Sequence, residues 1–191
     1  LYHRRQRQMC IRDRFHYIRS YYSDEPMVHI GIYEEEVKLV LWNDVELGMA
    51  QMNENWNRPL SSRVKMDVWT NAEEVELFLN GRSLGTKANL LDDPGQRNKT
   101  TWQVDYEPGV LKAVARTKGK FVAEHVVETV GEAVALKLEA DNPDWTSDGF
   151  DLQHIRISAV DKQARTVFDA KELVKFSVKG PARLIGVDNG D

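Results

Sequence analysis

Cysteine is nearly absent: Cys10 stands alone in 191 residues, which excludes an internal disulfide framework and any multi-cysteine zinc cluster. No apolar run approaches the roughly 20 residues that cross a bilayer as a helix. The first residues are charged and polar, without the apolar stretch of a signal peptide. A broad basic excess is missing too. With 26 basic and 30 acidic residues the net charge is −4, whereas a phosphate backbone calls for the opposite balance. The histidines are His3, His16, His29, His125 and His154, and no two have the spacing of zinc ligands on one helix or hairpin. No metal and no cofactor is therefore expected. Ser61, Ser62, Ser83 and Ser158 lack a nucleophile-elbow context, and no glycine-rich loop leads from a strand into a helix as a phosphate cradle requires. What is present is 41% hydrophobic, 29% charged and 9% aromatic, enough apolar matter to close a globular core.

The charge is unevenly spread. Residues 1–14 hold Arg4, Arg5, Arg7, Arg12 and Arg14 against Asp13, a local +4 that leaves the rest at −8. A basic arm is one reading. However, the string from Met9 to Arg14 resembles one found at the ends of translated environmental reads of unrelated proteins, where it looks like adapter read-through. Residues 1–14 are accordingly expected to be an artefact or disordered, and Cys10 goes with them.

Residues 15–22 are aromatic and basic, and Ser23, Asp24, Glu25 and Pro26 form a turn signal before the apolar run 27–32. Residues 33–62 read as a long loop with a short helix or strand. From Arg63 a period of two is clear, with Val64, Met66 and Val68 alternating against Arg63, Lys65 and Asp67. Val75, Leu77 and Leu79 then lead into Asn80-Gly81. Asn-Gly between two such runs predicts a type I′ hairpin over 75–86, because both central residues need positive φ. A loop over 87–99 follows, then strands over 100–106, 110–117 and 121–130, separated by Pro108-Gly109 and Lys118-Gly119. Gly131-Glu132 marks a domain junction. Beyond it, Val134, Leu136 and Leu138 alternate, as do Ile155, Ile157 and Ala159, and further strands are expected over 174–178 and 184–187.

An immunoglobulin-like sandwich takes about 100 residues, and residues 131–191 supply 61. The expected fold is therefore all-β: two consecutive immunoglobulin-like antiparallel β-sandwich domains, the second incomplete. The expected divisions are residues 27–130 for the first sandwich, including a 33–62 loop, and 131–191 for the second.

Glycoside hydrolysis needs two carboxyl groups about 5 to 5.5 Å apart for retention, wider for inversion. With 30 acidic residues, neighbours such as Asp24-Glu25, Glu34 to Glu36, Asp92-Asp93 and Asp188 read as solvated turns or faces. Asp141, Asn142, Asp144 and Asp148 lie close enough to offer oxygens to a hard cation, but they lack the spacing of an EF-hand loop. Among the tryptophans, Trp69 and Trp102 sit beside apolar neighbours and read as core. Trp56 lies among Asn53, Glu54, Asn55, Asn57 and Arg58, whose amides and charges suit sugar hydroxyls. Trp56, Asn55 and Asn57, with Trp145 as a weaker second, are the candidate substrate-binding residues. The competing reading of Trp56 is a side chain that packs its loop onto the sandwich. Asn98-Lys99-Thr100 forms a glycosylation sequon.

The run from Val68 to Gly85, with Trp69, Asn71, Phe78, Asn80 and Gly81, resembles an accessory domain in the C-terminal part of glycoside hydrolase family 2 enzymes of the β-galactosidase type. Residues 24–30, 102–115 and 128–132 fit the same pattern in the same order. Residues 136–141, 148–152 and 176–191 are similar to the terminal immunoglobulin-like domain of those enzymes. The resemblance implies a chain truncated at both ends, with a sugar-binding jelly roll, an immunoglobulin-like domain and a (β/α)8 barrel upstream. Residues 15–26 would be the remnant of that barrel. The two catalytic glutamates belong to the barrel, no motif here corresponds to them, and no catalytic residue is carried over. Many relatives pass quickly from the His29 motif to the next strand, so the 33–62 stretch is a departure.

The implied function is that of a non-catalytic piece of a hydrolase acting on terminal β-glycosidic bonds. Its partners would be the catalytic barrel and, as a further expectation, carbohydrate; neither nucleic acid nor a membrane span is expected. The parent would be bacterial and periplasmic or secreted. The alternatives are a carbohydrate-binding or adhesive β-sandwich of a cell-surface protein and an oligomerisation module.

Overall fold

A computed structural model describes residues 7–34, 38–42, 45–49, 52–142, 144, 146 and 148–187. Contacts divide the chain between Thr129 and Val130 into two units.

The first unit opens with a helix, α1 (Arg7–Tyr22). It begins inside the stretch expected to be artefact or disordered and runs through residues 15–22 without a break, because no helix-breaking Gly or Pro interrupts 7–22. Among the described residues ten strands follow: β1 (Val28–Tyr33), β2 (Lys38–Trp42), β3 (Val45–Met49), β4 (Met52–Asn53), β5 (Arg63–Thr70), β6 (Glu74–Leu79), β7 (Arg82–Ala88), β8 (Lys99–Asp105), β9 (Val110–Thr117) and β10 (Lys120–Glu128). They build two antiparallel four-stranded sheets, ordered β4-β1-β5-β8 and β10-β9-β6-β7, with β2 and β3 as a separate ladder. The 33–62 stretch is thus not one loop. It holds a hairpin ladder and a short strand that joins the first sheet through Ile32↔Asn53 and Tyr33↔Met52.

The core is made by alternation. Along β6, Val75, Leu77 and Leu79 are buried while Glu74, Glu76 and Phe78 are only partly so. From the facing sheet come Ile30, Ile32, Met66 and Val68, and from β9 Leu111, Ala113 and Ala115. Burying one large aliphatic side chain is worth about 1.5–3 kcal/mol. The turns carry the predicted chemistry: Asn80 and Gly81 sit at φ 52° and 80°, and Lys118 and Gly119 at 52° and 70°. Asn80 also fastens the neighbouring turn, its Oδ1 accepting from Val110 N at 2.8 Å and its Nδ2 donating to Pro108 O at 3.1 Å.

A buried polar knot holds the end of α1 to this sandwich. Asn98 Nδ2 donates to Ser20 O at 2.8 Å and Asn98 N donates to Asn89 Oδ1 at 2.8 Å. Asn89 Nδ2 in turn donates to Ala72 O at 2.8 Å. The carbonyl of Ser20 is one of those a helix C-terminus leaves unsatisfied, so the bond anchors the helix at no cost to its own ladder. Asn98 is 3% exposed, and its side chain, the acceptor of the sequon, is committed inside the fold.

In the second unit, β11 (Ala135–Ala140) and β12 (Ile155–Val160) pair antiparallel from Ala135↔Val160 to Ala140↔Ile155. Val160 adds a bridge to Thr166. Asp161 closes the turn beyond: its carboxylate accepts from Gly131 N, Gln163 N and the Arg165 guanidinium. Those donors hold its carboxyl well below the usual carboxylate range, Arg165 contributing most. The strands expected at 174–178 and 184–187 do not form. Among the described residues, 174–178 and 184–187 pair with no other strand, and Val178, Leu184 and Ile185 are exposed. The fold class is all-β, as the turn and strand periods indicated.

Candidate functional site

Polar chemistry in the first unit concentrates where the edge of one sheet meets that of the other. His29 projects from β1, Glu54 follows β4, and His125 projects from β10. His125 Nε2 lies 3.1 Å from Glu54 Oε1, and His29 Nδ1 lies 3.7 Å from the same oxygen. Ile30 N donates to His125 Nδ1 at 3.3 Å. That ring nitrogen is therefore the acceptor and the proton resides on Nε2, from which it is donated to Glu54. The result is a relay from the backbone of β1, through an imidazole of β10, to a carboxylate beside β4.

His29 is buried at 3% exposure between two further rings. His16 of α1 stacks on one face with centroids 3.7 Å apart and planes 7° from parallel, and Trp69 lies parallel on the other side at 5.7 Å. Gly31 leaves room for this arrangement, since a Cβ there would meet Trp69 Cη2 at 2.6 Å. Burial, and then the neighbouring His29, push the His16 imidazole from its usual 6.5 down to about 4. It is neutral at pH 7, as a ring stacked on another imidazole should be. Among the described residues, His29, Glu54 and His125 form the group of three whose donor atoms converge within 4.8 Å.

The residues singled out for sugar contact lie elsewhere or in other roles. Trp56 is 1% exposed, packs edge-on to Tyr106 at 5.2 Å, and donates Nε1–H to Glu107 O at 3.2 Å. A ring enclosed in the core has no face left for a sugar, so Trp56 is a packing residue. Asn55 and Asn57 are half-buried. Asn55 Oδ1 accepts from Asn57 N at 3.0 Å, and Asn55 N donates to Asn53 Oδ1 at 2.9 Å. These are the bonds of amides that shape a turn. Trp145 lies outside the described residues. Trp69 and Trp102 are buried as read, with Trp102 Nε1 donating to Thr100 Oγ1 at 3.0 Å. In the acidic stretch, Asn142 Oδ1 accepts from Asp144 N, and Asp148 Oδ1 from Phe150 N and Asp151 N. Their oxygens face backbone amides.

Sequence reading missed the histidine cluster for a physical reason. Ligand spacing is visible only when the donors share one element, and these come from three. The single local signal was an imidazole on a strand of otherwise apolar residues, His29 within Val28 to Ile32.

Comparison with known proteins fits the fold. Residues 61–123 match a family described as a domain of unknown function, DUF4982. Residues 136–191 match the family described as glycoside hydrolase family 2 C-terminal domain 5. The β-galactosidase BoGH2A of Bacteroides ovatus is 36% identical over 151 residues, which cover 78% of this chain and 17% of that protein. The chain is the C-terminal accessory part of a glycoside hydrolase family 2 protein. A β-glucuronidase of Formosa agariphila is 32% identical over 133 residues, covering 67% of this family 2 chain and 13% of that protein. The solved structure of a glycosyl hydrolase family 2 member from Bacteroides cellulosilyticus superposes with a TM-score of 0.68 at 31% identity, over 79% of this chain and 20% of that one. The family 2 chain thus spans about a sixth of the first of these relatives. It is a non-catalytic β-sandwich piece of a larger protein.

Proposed function

We propose that this chain braces the catalytic domain of a glycosidase that hydrolyses terminal β-linked sugars, β-galactosides first among them. The observation that carries this reading is the two-sidedness of α1. One side is fixed to the sandwich by the His16–His29 stack and the Ser20 to Asn98 bond. On the helix, Phe15, Ile18 and Tyr22 stand 55%, 52% and 87% exposed, at the i, i+3, i+7 spacing of one helical stripe. A rigidly anchored helix presenting an apolar stripe suits a surface of the same polypeptide, and the remainder of the parent supplies one. The preference for β-galactosides is supported by the name of the 36% identical relative. The relative named a β-glucuronidase makes β-glucuronides the second reading.

The test is made on the full-length parent. It should cleave p-nitrophenyl β-galactoside faster than the β-glucuronide. Replacing Phe15, Ile18 and Tyr22 together by aspartate should lower the parent's melting temperature and leave that of the isolated chain unchanged. Turnover of neither substrate overturns the assignment of the reaction, and an unmoved parent melting point overturns the brace.

A further inference from the structure

The donor atoms of His29, Glu54 and His125 converge within 4.8 Å of one another, and Glu54 stands at ligand spacing from both imidazoles. Groups held tetrahedrally about 2.0–2.2 Å from a zinc ion lie roughly 3.3 Å from one another. The two separations from Glu54 Oε1, 3.1 and 3.7 Å, bracket that distance. The His29 side chain is 4% exposed, whereas those of Glu54 and His125 are 28% and 23% exposed. The cluster is thus walled on one side and open on the other, so an ion can enter and water can complete its coordination. Two imidazoles and one carboxylate form a donor set that suits zinc and its neighbours. Calcium and magnesium take oxygen.

We propose that His29, Glu54 and His125 bind one divalent transition-metal ion of the zinc type, which ties β10 to β1 and to the turn after β4. The role is structural, since the ion would fasten the edges of the two sheets. His16, stacked on His29 with centroids 3.7 Å apart, holds the plane of that ring.

Binding has one defined cost. In the structure His125 carries its proton on Nε2 because Ile30 N–H faces Nδ1. A metal on Nε2 displaces that proton, the neutral ring then carries it on Nδ1, and the bond from Ile30 is given up. Losing that bond and setting two N–H donors face to face, with the buried Ile30 amide left unsatisfied, weakens affinity by about tenfold to a hundredfold, a penalty that structural zinc sites have the strength to absorb. The tautomer change distinguishes ligation at this cluster from adventitious zinc.

The experiment is a zinc titration of the 191-residue chain after chelator treatment, followed by calorimetry and by imidazole 15N resonances. We expect one zinc per chain and no response to magnesium. We also expect His125 Nε2 to change from a protonated to a metal-bound nitrogen, and the Ile30 amide to exchange about tenfold faster than before. Cobalt in place of zinc should give the visible absorption of a low-symmetry nitrogen and oxygen site. His29→Phe keeps a flat ring between His16 and Trp69 and removes one donor; it and Glu54→Gln should each weaken zinc at least about tenfold. Absence of stoichiometric zinc overturns the proposal, as does zinc bound with His125 unchanged in tautomer. Because the wild-type spectra carry these outcomes, a variant that fails to fold does not shelter the idea.

Discussion

Replacing Trp56 by alanine separates a core tryptophan from a sugar platform. The ring is 1% exposed and rests edge-on against Tyr106. A buried aromatic covers about 150–250 Å², worth roughly 4–6 kcal/mol at about 25 cal/mol per Å². Alanine restores a little of this, and large-to-small substitutions of aromatic residues cost about 3–5 kcal/mol. The lost bond to Glu107 O adds little, because Glu107 is exposed and water can take the place of the indole. Against a domain stability of about 5–15 kcal/mol, that is a large fraction. With a urea slope of about 2 kcal/mol per M, the unfolding midpoint should fall by about 1.5–2.5 M. Trp56→Phe, which keeps a ring against Tyr106, should cost about 1–2 kcal/mol by the same scale. Equilibrium urea denaturation followed by circular dichroism measures both. A midpoint shift below about 0.5 M for the alanine variant, together with loss of galactoside binding, would refute the packing role.

Gly31→Ala places a methyl against two rigid atoms of Trp69, at 2.6 and 2.9 Å. Overpacking of this kind costs about 1–3 kcal/mol, offset by up to about 1 kcal/mol from the glycine's entropy; calorimetry should show a melting point several degrees lower, and an unchanged one counts against the close approach. His16 titrates near 4 in the fold and near 6.5 when exposed, so the unfolded chain takes up a proton first. Stability should therefore fall as pH drops from about 6.5 towards 4, and His16→Phe should flatten that segment of the pH profile. In hydrogen exchange on residues 15–191, amides of β11 and β12 should lose protection much sooner than those of β5 and β6, since a lone two-stranded ladder is marginal in water. Equal protection in both units would contradict this.

Local chemistry was legible wherever one stretch of chain carries its own reason. Asn80-Gly81 reads as a type I′ turn because side chains other than Asn and Gly rarely tolerate its φ values, and the observed 52° and 80° follow. The alternation of Val75, Leu77 and Leu79 reads as a strand because pleating sends alternate residues to one face. The 33–62 stretch was less legible. Lys38–Trp42 and Val45–Met49 pair with each other, and a short run does not announce its partner. Residues 174–178 fail in the opposite sense, with a strand-like pattern but no ladder to join among the described residues.

The sequence by itself determined the fold class, the hairpin turns and the family. Period, turn conformation and motif order are properties of neighbouring residues. Whether Trp56 faces sugar or core, and whether His29, Glu54 and His125 meet, was decided only by the tertiary structure. Burial and convergence depend on which strands the two sheets bring to a common edge. That placement is set by the packing of many side chains at once, and no single segment encodes it.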